Sequence, residues 1–311
     1  MFELGVGVAG ADVAAPRESC LDWRGLDPAH PASMENRRTA HLLVTPAAAI
    51  FVALFVAPFV YFFVISFWRA ENYKLVPDFT ANNYVRTFVE HSDTLAFTLA
   101  LAFLIALLTT VLGFVYAYLI RFKAGRWGPL LLFIALVTLF GGYLMKIYAW
   151  KTILGNQGAL NTALLSLGLI REPVTALFYT PGAVVVTLVH FLIPFAILPI
   201  YSSLRGVSEI ELEAARDLGA RPWAVMSHIV IPQCRPGLLA AFILCFLVSA
   251  GDYVTPILVG GTITMIGTLI VPQFGNFFNW PLGAAMSFSV LLLALILIAV
   301  VNAAMARWQP R

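Results

Sequence analysis

The sequence predicts an all-α integral membrane protein of about six transmembrane helices, with a cytoplasmic helix-turn-helix between the fourth and fifth spans. Three observations carry this. Of 311 residues, 60% are apolar and 11% charged, and the mean hydropathy is +0.88, whereas a soluble globular domain carries roughly 25% charged residues. Six apolar stretches recur along the chain, each near the ~20 residues that cross about 30 Å of hydrocarbon. The connection between the fourth and fifth is long, polar and punctuated by helix start and stop residues.

Residues 1–41, rich in Pro, Gly and charge, form no sustained periodicity and read as a cytoplasmic, mostly disordered tail. Residues 42–68 give the first span, longer than the core of a cleavable leader and therefore an uncleaved anchor. The others cover 94–120, 129–149, 182–204, 238–259 and 283–305, so that 42–305 forms one transmembrane domain and 306–311 a short cytoplasmic tail. Six spans put both termini on one side. Thirteen of the 19 basic residues then share that side, including Arg37, Arg38, Arg121, Lys123 and Arg126, which favours cytoplasmic termini.

Two segments on the outer side are more than turns. Residues 157–170 carry leucines at near-helical spacing and predict a short surface helix, leaving Asn161 accessible from outside. Residues 260–282 hold no charge and predict a fold-back against the outer mouth, with Asn276 on it. Trp68, Trp127, Trp280 and Trp308 stand at span ends as interfacial anchors.

Residues 205–237 are longer than neighbouring helices need. Ser208 with Glu211 forms a capping-box pattern, Gly219 is a helix stop, and Pro222 opens a second helix predicted to end near Pro232. Ala214, Ala215 and Gly219 are small enough for close approach by another backbone, and Leu218, Trp223, Met226 and Ile229 supply apolar anchors.

Glu213-Ala214-Ala215, Gly219-Ala220, Trp223, Ile229, Ile231-Pro232 and Pro236-Gly237 together resemble the EAA loop of ABC importer permeases, with Ile231 in place of the usual Leu and Met226 where an aromatic is common. The resemblance implies a coupling surface for a separate ATPase made by Glu213, Ala214, Ala215, Gly219, Ala220, Trp223, Met226, Ile229 and Pro232. Tyr143 to Trp150, Ile153 to Asn161 and Gly251 to Gly261 further resemble the spermidine/putrescine branch, although Lys146 stands where arginine is more typical. These likenesses imply a bacterial inner-membrane permease subunit forming half of a path for a small solute, a polyamine first. Its implied partners are an ATPase dimer, a second homologous permease, an extracytoplasmic solute-binding protein and the lipid bilayer.

Asp252 is the lone carboxylate within the six spans, where an ionisable group costs several kcal/mol unless solvated or paired. Tyr253 and Thr255 flank it, and Pro256 interrupts the helix. A cationic solute would be drawn to Asp252 and to the aromatic faces of Tyr253, Tyr148 or Trp150, which makes these residues and Thr255 the candidate substrate path. Alternatively, Asp252 caps a broken helix or pairs with Lys146.

The scattered Cys20, Cys234 and Cys245 and five dispersed histidines form no metal-ligand spacing. Neither a phosphate-cradling GxxxxGK[ST] nor a nucleophile–base pair is present, so the chain reads as non-catalytic and without cofactor, with ATP and Mg on the partner. A mild net charge of +3 gives no sign of nucleic-acid binding. The rival readings are a secondary transporter or channel, which would need further buried carboxylates for ion coupling, and an ABC importer of a different solute.

Overall fold

The computed structural model describes residues 45–174 and 179–307. The tail assigned to 1–41 and Trp308 lie outside these residues. Two compact units meet in sequence at Pro58. In the first, 45–58 form the start of helix α1 (Thr45–Ile65), with a π-turn at Val52–Val56 and Phe51 stacked on Phe55 at 5.4 Å between ring centroids.

In the second unit the end of α1 leads to an antiparallel hairpin, β1 (Arg69–Glu71) and β2 (Lys74–Val76), in which Arg69 faces Val76 and Glu71 faces Lys74. Asn72 and Tyr73 turn it with φ of 49° and 61°, the left-handed pair of a type I′ turn. Helix α2 (Asn82–Glu90) follows. Asn83 donates to the carbonyls of Ser66 (2.9 Å) and Trp68 (2.8 Å), satisfying acceptors that the end of α1 leaves open.

The core is a bundle of three long helices, α3 (Ser92–Phe122), α7 (Pro181–Leu204) and α9 (Pro222–Ala250), which pack on one another. Two glycines set their approach. A Cβ on Gly113 of α3 would stand 2.9 Å from the Ala196 Cβ of α7, and one on Gly237 of α9 would collide with the Pro199 carbonyl and Ser203 side chain of α7. The last span is α12 (Trp280–Arg307).

Between α3 and α7 the expected continuous span 129–149 is broken. Helix α4 (Gly128–Val137) tightens into a 3₁₀ turn at Thr138–Phe140 and stops at Gly141–Gly142, whose ψ angles of 119° and 141° are extended. Helix α5 (Tyr143–Leu154) leaves in a new direction, and α6 (Ala159–Ser166) completes the segment. The two limbs are bent by 97°, so the described residues hold five uninterrupted helices long and apolar enough to span, or six spans if the bent pair counts as one. Adjacent glycines lower the cost of leaving helical dihedrals, and hydropathy does not register the break.

The fifth expected span, 238–259, shifts for a related reason. The second loop helix does not end near Pro232. A π-turn at Met226–Val230 absorbs the missing donor of Pro232, and α9 runs unbroken from Pro222 to Ala250. It stops at Gly251, and α10 (Val254–Val259) restarts after Tyr253. Pro256 sits in the first turn of α10, where its ring would clash with the Asp252 carbonyl if the helix continued backward. The fold-back 260–282 contains α11 (Ile266–Gly275), anchored where the Ile266 N–H donates to Thr98 Oγ1 at 2.9 Å.

Candidate functional site

Two places in this framework carry chemistry. The first is the exposed helix-turn-helix between the ends of α7 and α9. Helix α8 (Glu209–Asp217) begins after Ser208, which holds the N-cap position but makes no side-chain cap. Its expected partner, Glu211, instead accepts from Gln233 Nε2 at 2.6 Å, joining α8 to α9. Glu209 pairs with Arg121 at the end of α3. Two ties thus hold α8 to two different spans.

The helix ends in a Schellman turn. Gly219 has φ +81°, its N–H donates to the Arg216 carbonyl at 2.9 Å, and the Ala220 N–H donates to the Ala215 carbonyl at 3.0 Å. The spacing of EAA to Gly219 is therefore the spacing of a helix to its left-handed stop. Arg221, extended and without a side-chain cap, then holds the N-cap position before Pro222, the first residue of α9.

This turn sorts the predicted residues onto two sides. Leu212 and Val225 are buried in the core, and Ala215, Ala220, Met226 and Ile229 pack partly against it. Facing away are Glu213, Ala214 and Gly219, with Ile210, Leu218 and Trp223 at 77%, 89% and 76% exposure. Pro232 is half-buried within α9. Met226 and Ile229, read from sequence as apolar anchors, are thus only partly exposed, while Ile210 is an exposed residue that the sequence reading did not single out. Beside the loop is a cavity of about 440 Å³ lined by Arg121, Lys123, Arg216, Glu209 and Glu213 among others.

The second place is the break between α9 and α10. Asp252 is only 8% exposed. Its Oδ1 accepts from the Tyr143 hydroxyl (2.5 Å), the Val254 N–H (3.0 Å) and the Thr255 N–H (3.5 Å). Asp252 thus caps α10, one of the alternatives open from sequence. The other is not formed: among the described residues no ion pair joins Lys146 to Asp252, and Lys146 Nζ lies 5.3 Å from the Phe191 ring centroid without a hydrogen-bond partner. Asp252 Oδ2 also has no partner.

Of the predicted path residues, Thr255 joins this cluster, fully buried, with Oγ1 3.0 Å from the Tyr143 hydroxyl. Tyr253 is 42% and Tyr148 51% exposed, and Trp150 packs edge-on against His190 at 5.6 Å. Their rings take no part in the hydrogen bonds around Asp252. Tyr143 is the member that sequence reasoning did not single out. Its signal was its place directly after Gly141–Gly142, where a new helix direction begins.

Among the described residues no group of three or more His, Cys, Asp or Glu could hold a metal. Cys234 and Cys245 are free and buried.

Residues 122–311 match the family described as binding-protein-dependent transport system inner membrane component. The chain belongs to that family: it is a multi-pass inner-membrane permease subunit of an ABC importer. Among its relatives is the spermidine/putrescine transport system permease protein PotB of Escherichia coli strain K12, 37% identical over 214 residues, which cover 68% of this chain and 78% of that one. PotB of Haemophilus influenzae is 32% identical over 232 residues, 74% of this chain and 80% of that one. The fold is shared with a crystal structure of a bacterial ABC transporter that imports alginate, at TM-score 0.69 and 16% identity over 89% of this chain and 98% of that one.

Proposed function

We propose that this chain forms half of the translocation path of an ATP-driven importer for a polyamine-class cation. It works with a second homologous permease, two copies of a separate ATPase and an extracytoplasmic solute-binding protein. Residues 42–305 form the permease domain, both termini are cytoplasmic, and ATP and Mg bind the ATPase. Segment 208–232 docks on that ATPase, and Asp252, with Thr255 and its neighbours, lies along the path.

The observation that supports docking most directly is the exposed apolar set Ile210, Leu218 and Trp223 on a rigidly capped turn. Large apolar side chains held away from the core fit a groove on a partner, where a few such anchors supply most of the binding energy. The relatives named for spermidine and putrescine, together with the buried carboxylate, support the cargo class.

The test is a paired substitution, Leu218→Asp with Trp223→Asp. It adds charge to the outward face without touching the buried side of the loop. Expected is a chain that inserts normally but loses the co-purifying ATPase and putrescine uptake. Retention of both would refute docking at this surface. Unpaired Lys146 favours a second reading, an ABC importer of a different, non-cationic solute, because a bare ammonium near the path repels a polyamine.

A further inference from the structure

Asp252 uses its two oxygens unequally. Oδ1 is saturated by the Tyr143 hydroxyl and the N–H groups that open α10, while Oδ2 is buried and bare. Capping alone explains one oxygen. A carboxylate oxygen left without a donor inside an apolar bundle is expensive, and so points to something that arrives.

The surroundings favour a particular visitor. The Tyr143 hydroxyl spends its one proton as donor to Oδ1, so the Thr255 hydroxyl, 3.0 Å away, donates to the Tyr143 oxygen and keeps its own lone pairs free. With Oδ2 this leaves two open acceptors in the cluster, the carboxylate oxygen and Thr255 Oγ1, able to take two of the three donors of a primary ammonium. The Phe191 ring packs against that of Tyr143, with centroids 4.7 Å apart, and fixes its position. The backbone is held from behind, since even a Cβ on Gly267 would come within 3.0 Å of the Asp252 carbonyl oxygen. Tyr143 stands just after one break and Asp252 within another, so the cluster is carried by helix ends that meet.

We propose that Asp252, Tyr143 and Thr255 form one ammonium subsite, in which Oδ2 takes the charge of the passing cation and Tyr143 positions the carboxylate. This rests on the cationic-cargo reading and adds Tyr143 to it, while Tyr253, Tyr148 and Trp150 fall outside the subsite. Lys146 is the opposing charge. Its ammonium lies against the same Phe191 ring and makes no ion pair with Asp252 among the described residues.

The test does not depend on knowing the cargo. In the assembled importer under ATP turnover, Thr255→Cys is labelled with a cationic and an anionic methanethiosulfonate, each rate being divided by its rate with a free thiol. Background from the native cysteines is read on the chain without the new one. Expected is a cation preference of about tenfold, the effect of about 1.4 kcal/mol, which Asp252→Asn abolishes and Asp252→Glu largely restores. Tyr143→Phe, which keeps the charge but frees the carboxylate to turn, should reduce the preference, and should add nothing once Asp252→Asn is present. Equal rates for the two reagents, no labelling by either, or a preference that survives Asp252→Asn would overturn the subsite. Cation preference without putrescine uptake by the native importer would sink the polyamine cargo alone; uptake without preference would sink the subsite alone.

Discussion

Replacing Gly219 by leucine should uncouple the permease from its ATPase while leaving the membrane bundle intact. Gly219 holds φ +81°, and a Cβ there meets no heavy atom within 4 Å. The cost is therefore backbone strain and not collision. Left-handed dihedrals cost an ordinary residue about 1–2 kcal/mol, which shifts an equilibrium by roughly 5- to 30-fold. If the turn relaxes instead, the hydrogen bonds from Gly219 to Arg216 and from Ala220 to Ala215 open, and Trp223 moves relative to Leu218. Asparagine tolerates this region, so Gly219→Asn is the control. In vesicles containing the whole importer, the leucine variant should lose binding-protein-stimulated ATP hydrolysis by about that factor, with normal insertion, and the asparagine variant should keep most of it. Equal, undiminished rates in both variants would refute the argument that the geometry of this turn positions the docking face.

Other consequences follow from named contacts. Exchanging the partners in Arg121→Glu with Glu209→Arg should restore coupling that either single change weakens, measured as solute moved per ATP; no recovery would mean that the pair does not transmit. Gly237→Val should fail to fold, seen as loss of the purified complex and a lowered melting temperature, because its side chain meets the Pro199 carbonyl and Ser203. Because Lys146 and Asp252 form no ion pair, adding Lys146→Met to Asp252→Asn should leave that variant's melting temperature unchanged; recovery of stability on adding it would reveal a pair. For topology, a cysteine at exposed Asn276 should react with an impermeant thiol reagent from outside, and one at exposed Leu218 should not. Reversed labelling would invert the orientation. Asn161 is unsuited to this, being 1% exposed and bonded to the Val174 N–H at 2.9 Å.

Much of this was legible in the sequence because it depends on local chemistry. Apolar length defined most spans, and Gly219 marked a helix stop because few other residues take its dihedrals. Asp252 stood out because a carboxylate in an apolar run is costly wherever the chain folds. What remained hidden depends on contacts across the bundle. The 97° bend at Gly141–Gly142 lies within a run that stays apolar on both sides, so hydropathy counts it as one span. Tyr143 reaches Asp252 across 109 residues, and no spacing rule links them. Glu211 answers Gln233 and not Ser208, a choice made by how α8 lies on α9. The hairpin at 69–76 turns on Asn72 and Tyr73 without the glycine that usually announces such a turn.

The most direct test of the account is putrescine uptake into vesicles holding this chain, its partner permease, the ATPase and the binding protein. Accumulation that requires hydrolysable ATP and continues when ion gradients are collapsed is the predicted result. Uptake driven by an ion gradient without ATP would contradict the account at its centre.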